Sequence, residues 1–514
     1  MCSPQHPASP SPSRLSLVAA LALAGGAAAQ TTSKLVWTQV RGPPRPCPAS
    51  ARPARAARPP SQLRAAAAPP PPRARRAPSS PNSAPPRPLL SLPSPPAPPR
   101  PAPARQHEEY AVYTSSGLSR HKGTTPTFST ATWLNSPIMV EVFNVSDSGE
   151  NMWSYASTSA GLPTFQVAMA RHADSFGVGN IDTIAAEAQF VPPSTCQVFA
   201  WSSLGGSAVP SWSVNVSNCD ANLLYDDDRN VDISDDGATA AFSGFLIQGK
   251  DYIPQLWVFS AQTGKLRFTK NLGATGQGGP VQLSENGTWV AWTTGDSVMI
   301  IDGLTGKVRD TVQMGWNCMA VLSDSGDFLA FAGDDVGKIY KWDAANNQYT
   351  LAYSPVPSGA TQYYATSAAI SSDGSGAAEA ELVTFGYITQ TALGARVIIY
   401  SMVTGAVLTD YVSPVNANLQ TYPTVRMSGN YAGICLWGDN DDVPTAIVLS
   451  AKAAKPIFTF VTPGSMFGVD IVHDVGASTP TSDVVYFATA GKHVPANAMG
   501  NGGDAYAWRL DVAI

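Results

Sequence analysis

From residue 107 onward, apolar and polar positions alternate with a period of two, in short runs separated by turn residues. That spacing predicts strands and hairpins rather than helices. Two hairpin patterns recur in alternation. The first sets a turn of Ser, Asp or Asn and Gly between two apolar runs. It appears in VDISDDGATAAF (231–242), VQLSENGTWVAW (281–292) and AVLSDSGDFLAF (320–331), with weaker copies at AAISSDGSG (368–376) and VRMSGNYAGICLW (425–437). Asp and Asn fold back onto the chain by hydrogen bonding, and Gly supplies the positive φ of a tight turn. The second pattern runs through LWVFSAQTGKLRFT (256–269), VMIIDGLTGKVRDT (298–311) and VIIYSMVTGAVLTD (397–410). Degenerate copies are IYKWDAANNQYTLA (339–352) and AIVLSAKAAKPIFT (446–459), and earlier ones are VEVFNVSDSGENMWSY (140–155) and QVFAWSSLGGSAVPSWSV (197–214).

Alternating the two hairpins gives a four-stranded unit, A to D, with A–B carrying the first turn and C–D the second. The C–D turns centre near residues 149, 206, 264, 306, 347, 405 and 454, a mean spacing of about 51 residues. A helical solenoid needs an apolar period of 3.6, and an immunoglobulin-type repeat needs about 100 residues per unit, so both are excluded. The C–D hairpin, leading through Asp-x-x-Thr-Gly-Lys into an aromatic strand, resembles the repeat of quinoprotein alcohol dehydrogenase-like propellers. The A–B hairpin resembles the Ser-x-Asp-Gly turn of WD40-like repeats. The resemblance covers 107–514 loosely and 229–463 well. It implies an all-β propeller of seven or eight four-stranded blades, eight being favoured by length, and says almost nothing about activity. An eighth C strand, DAYAWRLDV (504–512), has no D strand after it. The ring is therefore expected to close with an N-terminal strand, LVWTQV (35–40) or EYAVYTSS (109–116), because closure removes exposed sheet edges.

Composition supports this picture. Charged residues are 13% of the chain, against about 25% in average domains, while Gly (43), Pro (44) and Trp (12) are abundant. Charge is split along the sequence. Residues 1–106 hold 14 Lys and Arg and no acid, whereas 107–514 hold 18 Lys and Arg against 37 Asp and Glu. A propeller of net charge −19 is unsuited to nucleic acid and suited to cations or basic partners. Residues 1–29 read as a signal peptide: Arg14, an apolar core at 15–23, and small residues at 27–29. The apolar core is too short to span a bilayer, and no later segment is long enough, so a secreted or cell-surface protein is expected. A strand-like segment follows at 30–40. Residues 41–106 are a Pro/Ala/Arg-rich arm of disordered composition, or a stretch of non-coding sequence read through in the gene.

Candidate chemistry is sparse. Cys196 and Cys219 bracket a predicted hairpin, and export would let them form a disulfide. Cys318 and Cys435 sit in apolar strands as buried small hydrophobes, and no Cys/His spacing suits zinc. Propeller geometry puts the A–B and C–D turns on one face and the longer B–C and D–A loops on the other. The second face thus collects Asp226, Asp227, Asp228, Asp251, Asp296, Asp334, Asp335, Asp439, Asp441 and Asp442. Carboxylates converging from several blades suit Ca²⁺ or a basic partner, although an acidic solvated rim that keeps the protein soluble is the plainer reading, since no segment completes a calcium-loop pattern. Sequons occur at Asn144, Asn215 and Asn286, of which Asn286, in a predicted turn, is the best candidate for a glycan.

The strand tryptophans (Trp257, Trp289, Trp292, Trp342, Trp437, Trp508) fit packing between blades better than carbohydrate binding. The adjacent cysteine pair of quinoprotein dehydrogenases is missing, as are a nucleophile elbow and a phosphate loop; GATGQGG (273–279) reads as a D–A loop. His172 with Asp174 and His473 with Asp474 read as turn residues. The expected function is therefore a non-catalytic binding or scaffold module for a protein, glycan or cation on the loop-rich face, with no cofactor except Ca²⁺. The alternative is a propeller enzyme of quinoprotein-like dehydrogenase or hydrolase type.

Overall fold

The computed structural model describes residues 31–40 and 112–514, apart from 121–125, 134–137, 146–150, 157–163, 172–179, 190–194, 221–229, 274–277, 315–318, 334–336, 356, 358–362, 372–380, 390–394, 414–421, 438–443, 463 and 493–502. Residues 44–108 separate as a second unit, all of it outside the described residues. The remainder is an eight-bladed propeller of four-stranded antiparallel sheets. Among the described residues there is no α-helix, only the 3₁₀ turn Ser203–Gly205, and hence no helix long and apolar enough to cross a membrane.

Blade 3 shows the plan. Its strands, from the centre outward, are Val231–Ile233, Thr239–Gln248, Asp251–Ser260 and Leu266–Asn271, so the Ser-Asp-Asp-Gly turn joins A to B and Thr-Gly-Lys joins C to D. Blades 1, 2, 4, 5, 6 and 7 span residues 112–156, 164–217, 281–313, 319–353, 363–412 and 422–460. Blade 8 takes A, B and C from Met466–His473, Ser482–Lys492 and Gly503–Ala513, and its D strand is Thr31–Val40. That strand runs antiparallel to the last one, from Thr31 opposite Val512 to Val40 opposite Asp504. The two closure candidates therefore have different places. LVWTQV closes the ring, and EYAVYTSS contributes the inner strand of blade 1, Val112–Ser119. The 41–106 stretch is inserted between the outer strand of one blade and the inner strand of the next.

Burial follows from the stacking. A blade has neighbours on both faces, so its inner strands are buried on both; Ala395–Ser401 of blade 6 is buried at every position but the last. The outer strand Val407–Val412 of the same blade has only Thr409 buried. Cores lie between blades. Phe458 and Phe460 of blade 7 pack on Phe487, Tyr506 and Trp508 of blade 8. Trp257, Trp292 and Trp508 are buried packing residues, while Trp289 and Trp342 sandwich the Arg309 guanidinium, 4.3 and 3.9 Å from the ring centroids. The Trp437 side chain lies outside the described residues.

The C–D turns show why the repeat has its composition. Gly264, Gly306 and Gly405 have φ of 66°, 71° and 70°, a region that L side chains avoid. Each also lies flat against an aromatic ring on the outer strand of the preceding blade. A Cβ would come 2.7 Å from Trp212, 2.7 Å from Phe268 and 2.6 Å from Tyr353 respectively. Two of these rings add a hydrogen bond: Trp212 Nε1 donates to Ala261 O and Tyr353 Oη to Val403 O. In blade 4 the register position of Phe268 is held by Asp310. Its carboxylate accepts from Tyr349 N at 2.7 Å, and the turn it meets carries Asn347 at φ 51° in place of glycine. Aromatic pairs with Gly, and Asp pairs with Asn.

On the same face the A–B turns are tied to one another. Asp235 N donates to Glu285 O at 2.7 Å, and the Asn286 amide donates to Asp324 O at 3.0 Å, linking blades 3, 4 and 5. Inside each turn, Ser and Asx side chains accept backbone N–H groups, as Ser234 Oγ does from Thr239 and Asp236 Oδ1 from Ala238.

Candidate functional site

Among the described residues, Asp232, Asp235, Glu285 and Asp470 gather around Arg171 near the inner strands. Asp232 and Asp470 hold the same position in the inner strands of blades 3 and 8, each inside a Val-Asp-Ile triplet (231–233, 469–471). Each carboxylate accepts from the next residue's N–H (Ile233, 3.0 Å; Ile471, 2.9 Å) and from the inner strand of the following blade (Leu283 N, 2.8 Å; Leu118 N, 2.7 Å). The matching position in blade 1 is Gly117, where a Cβ would lie 2.9 Å from Met169 N of blade 2. A short acidic side chain thus bridges adjacent inner strands at two of the eight steps, and direct approach replaces it at a third.

Arg171, just after the inner strand of blade 2, spans the centre. Its Nη1 donates to Met427 O of blade 7 at 2.7 Å, while its other nitrogens meet Asp235 of blade 3 at 3.2 Å and Glu285 of blade 4 at 3.5 Å. Burial opposes its charge, but the summed fields of Asp235, Glu285, Asp470 and Asp232 outweigh that and hold the guanidinium ionised. Burial acts the other way on the acids. It pushes Asp232 up to about 7 against the pull of the Leu283 N–H and Arg171, and it raises Asp470 despite Arg171 and Arg426. A carboxyl that burial raises toward neutrality has the electrostatics of an acid/base group, but both Asp232 oxygens are taken by backbone N–H groups.

A second ion pair, Arg120 with Asp474, ties blade 1 to the A–B turn of blade 8. His473 faces Asp483, 3.1 Å from its Nε2, rather than Asp474, and Tyr431 Oη donates to the same carboxylate. Ser478 Oγ is 3.4 Å from that same Nε2 and donates to Asp474 O. Serine and aspartate on one nitrogen give no relay from base to orienting acid, so the group is a turn clasp, as its sequence position suggests.

The structure joins Cys196 to Cys219. Cys196 is on strand C of blade 2, and Cys219 lies past strand D on a two-residue strand that pairs with blade 3 opposite Leu246. Cys435 is buried between blades 7 and 8. The acidic candidates Asp226, Asp227, Asp228, Asp334, Asp335, Asp439, Asp441 and Asp442 lie outside the described residues, as do Cys318, His172 and Asp174. Asp251 and Asp296 are exposed. Among the described residues no three His, Cys, Asp or Glu side chains group as metal ligands.

No family model and no curated protein matches the sequence. Solved structures of similar fold include BamB from Moraxella catarrhalis, with TM-score 0.42, 13% identity and coverage of 78% of this chain and 99% of that one. Another is hydrazine synthase from Kuenenia stuttgartiensis, with TM-score 0.33, 14% identity, and 52% and 77% coverage. A third is the β-propeller domain of the Trilobed protease from Pyrococcus furiosus, with TM-score 0.35, 12% identity, and 60% and 92% coverage.

Proposed function

We propose that this chain is a non-catalytic binding propeller that takes a cationic ligand, a metal cation or a basic protein segment, on its loop-rich face. One observation carries the non-catalytic part. Asp232 and Asp470 use both carboxylate oxygens on backbone N–H groups, and Arg171 is engaged by Asp235, Glu285 and Met427 O. These groups hold blades together, which leaves recognition to surfaces away from the stitched turn face. The charge of −19 over 107–514, with runs such as Asp226-Asp227-Asp228, favours a cationic ligand. Export and surface localisation belong to the same proposal and rest on residues 1–29.

The test titrates the full chain with CaCl₂ and, separately, with a poly-lysine peptide by calorimetry. Neutralising Asp226, Asp227, Asp228, Asp439, Asp441 and Asp442 to Asn should abolish the binding heat, and Asp232→Asn should leave it unchanged. Absence of binding by either probe, or loss with Asp232→Asn alone, overturns the proposal. The raised Asp232 carboxyl favours a second reading, a channel enzyme. A bound organic chromophore in the purified protein would decide for it.

A further inference from the structure

We propose that Asn215 is the N-glycan acceptor of this chain, and that its glycan covers the outer edge of blade 2. The inference rests on export, and the test below separates the two. Asn215 lies on the outermost strand of blade 2, Trp212–Ser217, whose other edge has no partner among the described strands. Side chains there alternate strictly. Trp212, Val214 and Val216 pack toward the blade 2–blade 3 core, while Ser213, Asn215 and Ser217 are exposed. The acceptor amide and the sequon hydroxyl of Ser217 therefore stand on one solvent-facing row.

The other two sequons are placed differently. Asn144 is only partly exposed and its Oδ1 is buried. Asn286 is exposed, but its amide belongs to the seam between blades 4 and 5. Oδ1 accepts from Ser284 Oγ (2.9 Å) and Thr288 N (3.0 Å), and Nδ2 donates to Asp324 O (3.0 Å). A sugar on that nitrogen has to share the gap between two turns that hydrogen-bond each other.

Two further features agree with a glycan on this strand. The strand carries no charged residue and has β-branched valines, the composition of an edge open to unwanted pairing. The Cys196–Cys219 disulfide joins the neighbouring strand C to the chain just past this strand, and it forms in the same oxidising, exported setting that glycosylation needs. In the transfer, Asn215 Nδ2 bonds to the anomeric carbon of a lipid-linked oligosaccharide diphosphate. The bond from that carbon to the phosphate oxygen breaks, the lipid diphosphate leaves with the electron pair, and Nδ2 gives up one proton.

The full chain is expressed in a secreting eukaryotic cell with its own residues 1–29, and in parallel with a standard signal peptide replacing them. Gel mobility is read with and without peptide-N-glycosidase, and the Asn215 peptide is read by mass spectrometry after enzymatic release. Wild type should lose one glycan step on treatment. Asn215→Gln and Ser217→Ala should each remove that step, and Asn286→Gln and Asn144→Gln should keep it. An unmodified Asn215 peptide in chain exported with the standard signal overturns the proposal, as does an unchanged glycan step in Ser217→Ala. Modification seen only with the standard signal supports the site and counts against the chain's own leader.

Discussion

Replacing Gly306 by Ala isolates the contact on which the C–D hairpins dock. At φ 71° an L residue costs about 1–2 kcal/mol relative to glycine. The new Cβ would also lie 2.7 Å from Phe268 Cγ, with Cδ2 and Cδ1 at 2.9 and 3.0 Å, so the ring or the turn must move. Forcing an extra carbon into a packed contact costs about 1–3 kcal/mol. The expected loss is the sum, roughly 2–5 kcal/mol. Gly249 is the control. Its φ is 66° and nothing lies within 4 Å of a Cβ there, so Gly249→Ala should cost the conformational part alone, about 1–2 kcal/mol. Both variants are compared with wild type by urea titration followed through tryptophan fluorescence, with calorimetric melting as a check. At about 2.1 cal/mol/K per residue over about 400 residues, 3 kcal/mol lowers the melting temperature by about 4 °C. Equal losses in Gly306→Ala and Gly249→Ala would refute docking of the turn on the aromatic ring as a source of blade cohesion.

Three further outcomes are expected. Removing the disulfide with Cys196→Ala and Cys219→Ala releases a closed loop of 23-residue separation, a loss of about 3 kcal/mol measured by the shift in urea midpoint. Asp232 titrates near 7 in the folded chain and near 3.9 when unfolded, so the fold binds the extra proton and stability falls as pH rises from about 4 to 7. At about 1.4 kcal/mol per pH unit that is at most about 4 kcal/mol. Asp232→Asn should therefore gain on wild type between pH 5 and pH 8, and a constant difference across that range counts against the raised carboxyl. Deleting residues 1–40 uncovers the edge of blade 8 and should produce aggregation on size-exclusion chromatography, whereas replacing 41–106 by a short Gly/Ser linker should leave the melting temperature unchanged.

Much of the architecture is visible in the sequence because each turn in it does local work. Gly237 and Gly264 take positive φ, and the Ser and Asx side chains beside them hydrogen-bond within six residues, so the signal stays inside one hairpin. The closing strand is legible for a related reason: an eighth C strand leaves an edge for which LVWTQV and EYAVYTSS are the candidates. Deciding between them needs the register with the last strand, a pairing across almost the whole chain. The channel is legible in one detail that the hairpin pattern hides. Val-Asp-Ile occurs twice at an inner-strand position, and an acid inside an otherwise apolar strand marks a carboxylate with buried backbone partners. Arg171 gives no such warning, because its partners at 235, 285 and 427 come from three other blades.

The departures from the repeat locate specialisation better than the repeat does. Eight equivalent blades would place eight equivalent side chains around the channel. Instead the inner-strand position is Gly117, Ala168, Val321 and Ala369 in blades 1, 2, 5 and 6, and Asp232, Gln282, Arg426 and Asp470 in blades 3, 4, 7 and 8. Arg171 joins the two polar arcs, reaching blades 3 and 4 on one side and blade 7 on the other. A propeller closed at a single seam can slip or open there, and charges tied across the centre resist that opening independently of the outer closing strand. On this reasoning Arg171→Met and the deletion of residues 1–40 weaken the ring at two separate places. Their effects on the urea midpoint should exceed additivity when combined, because each leaves the other as the remaining restraint on the same opening. Strictly additive losses would mean that the central ion pairs serve only the blades they touch.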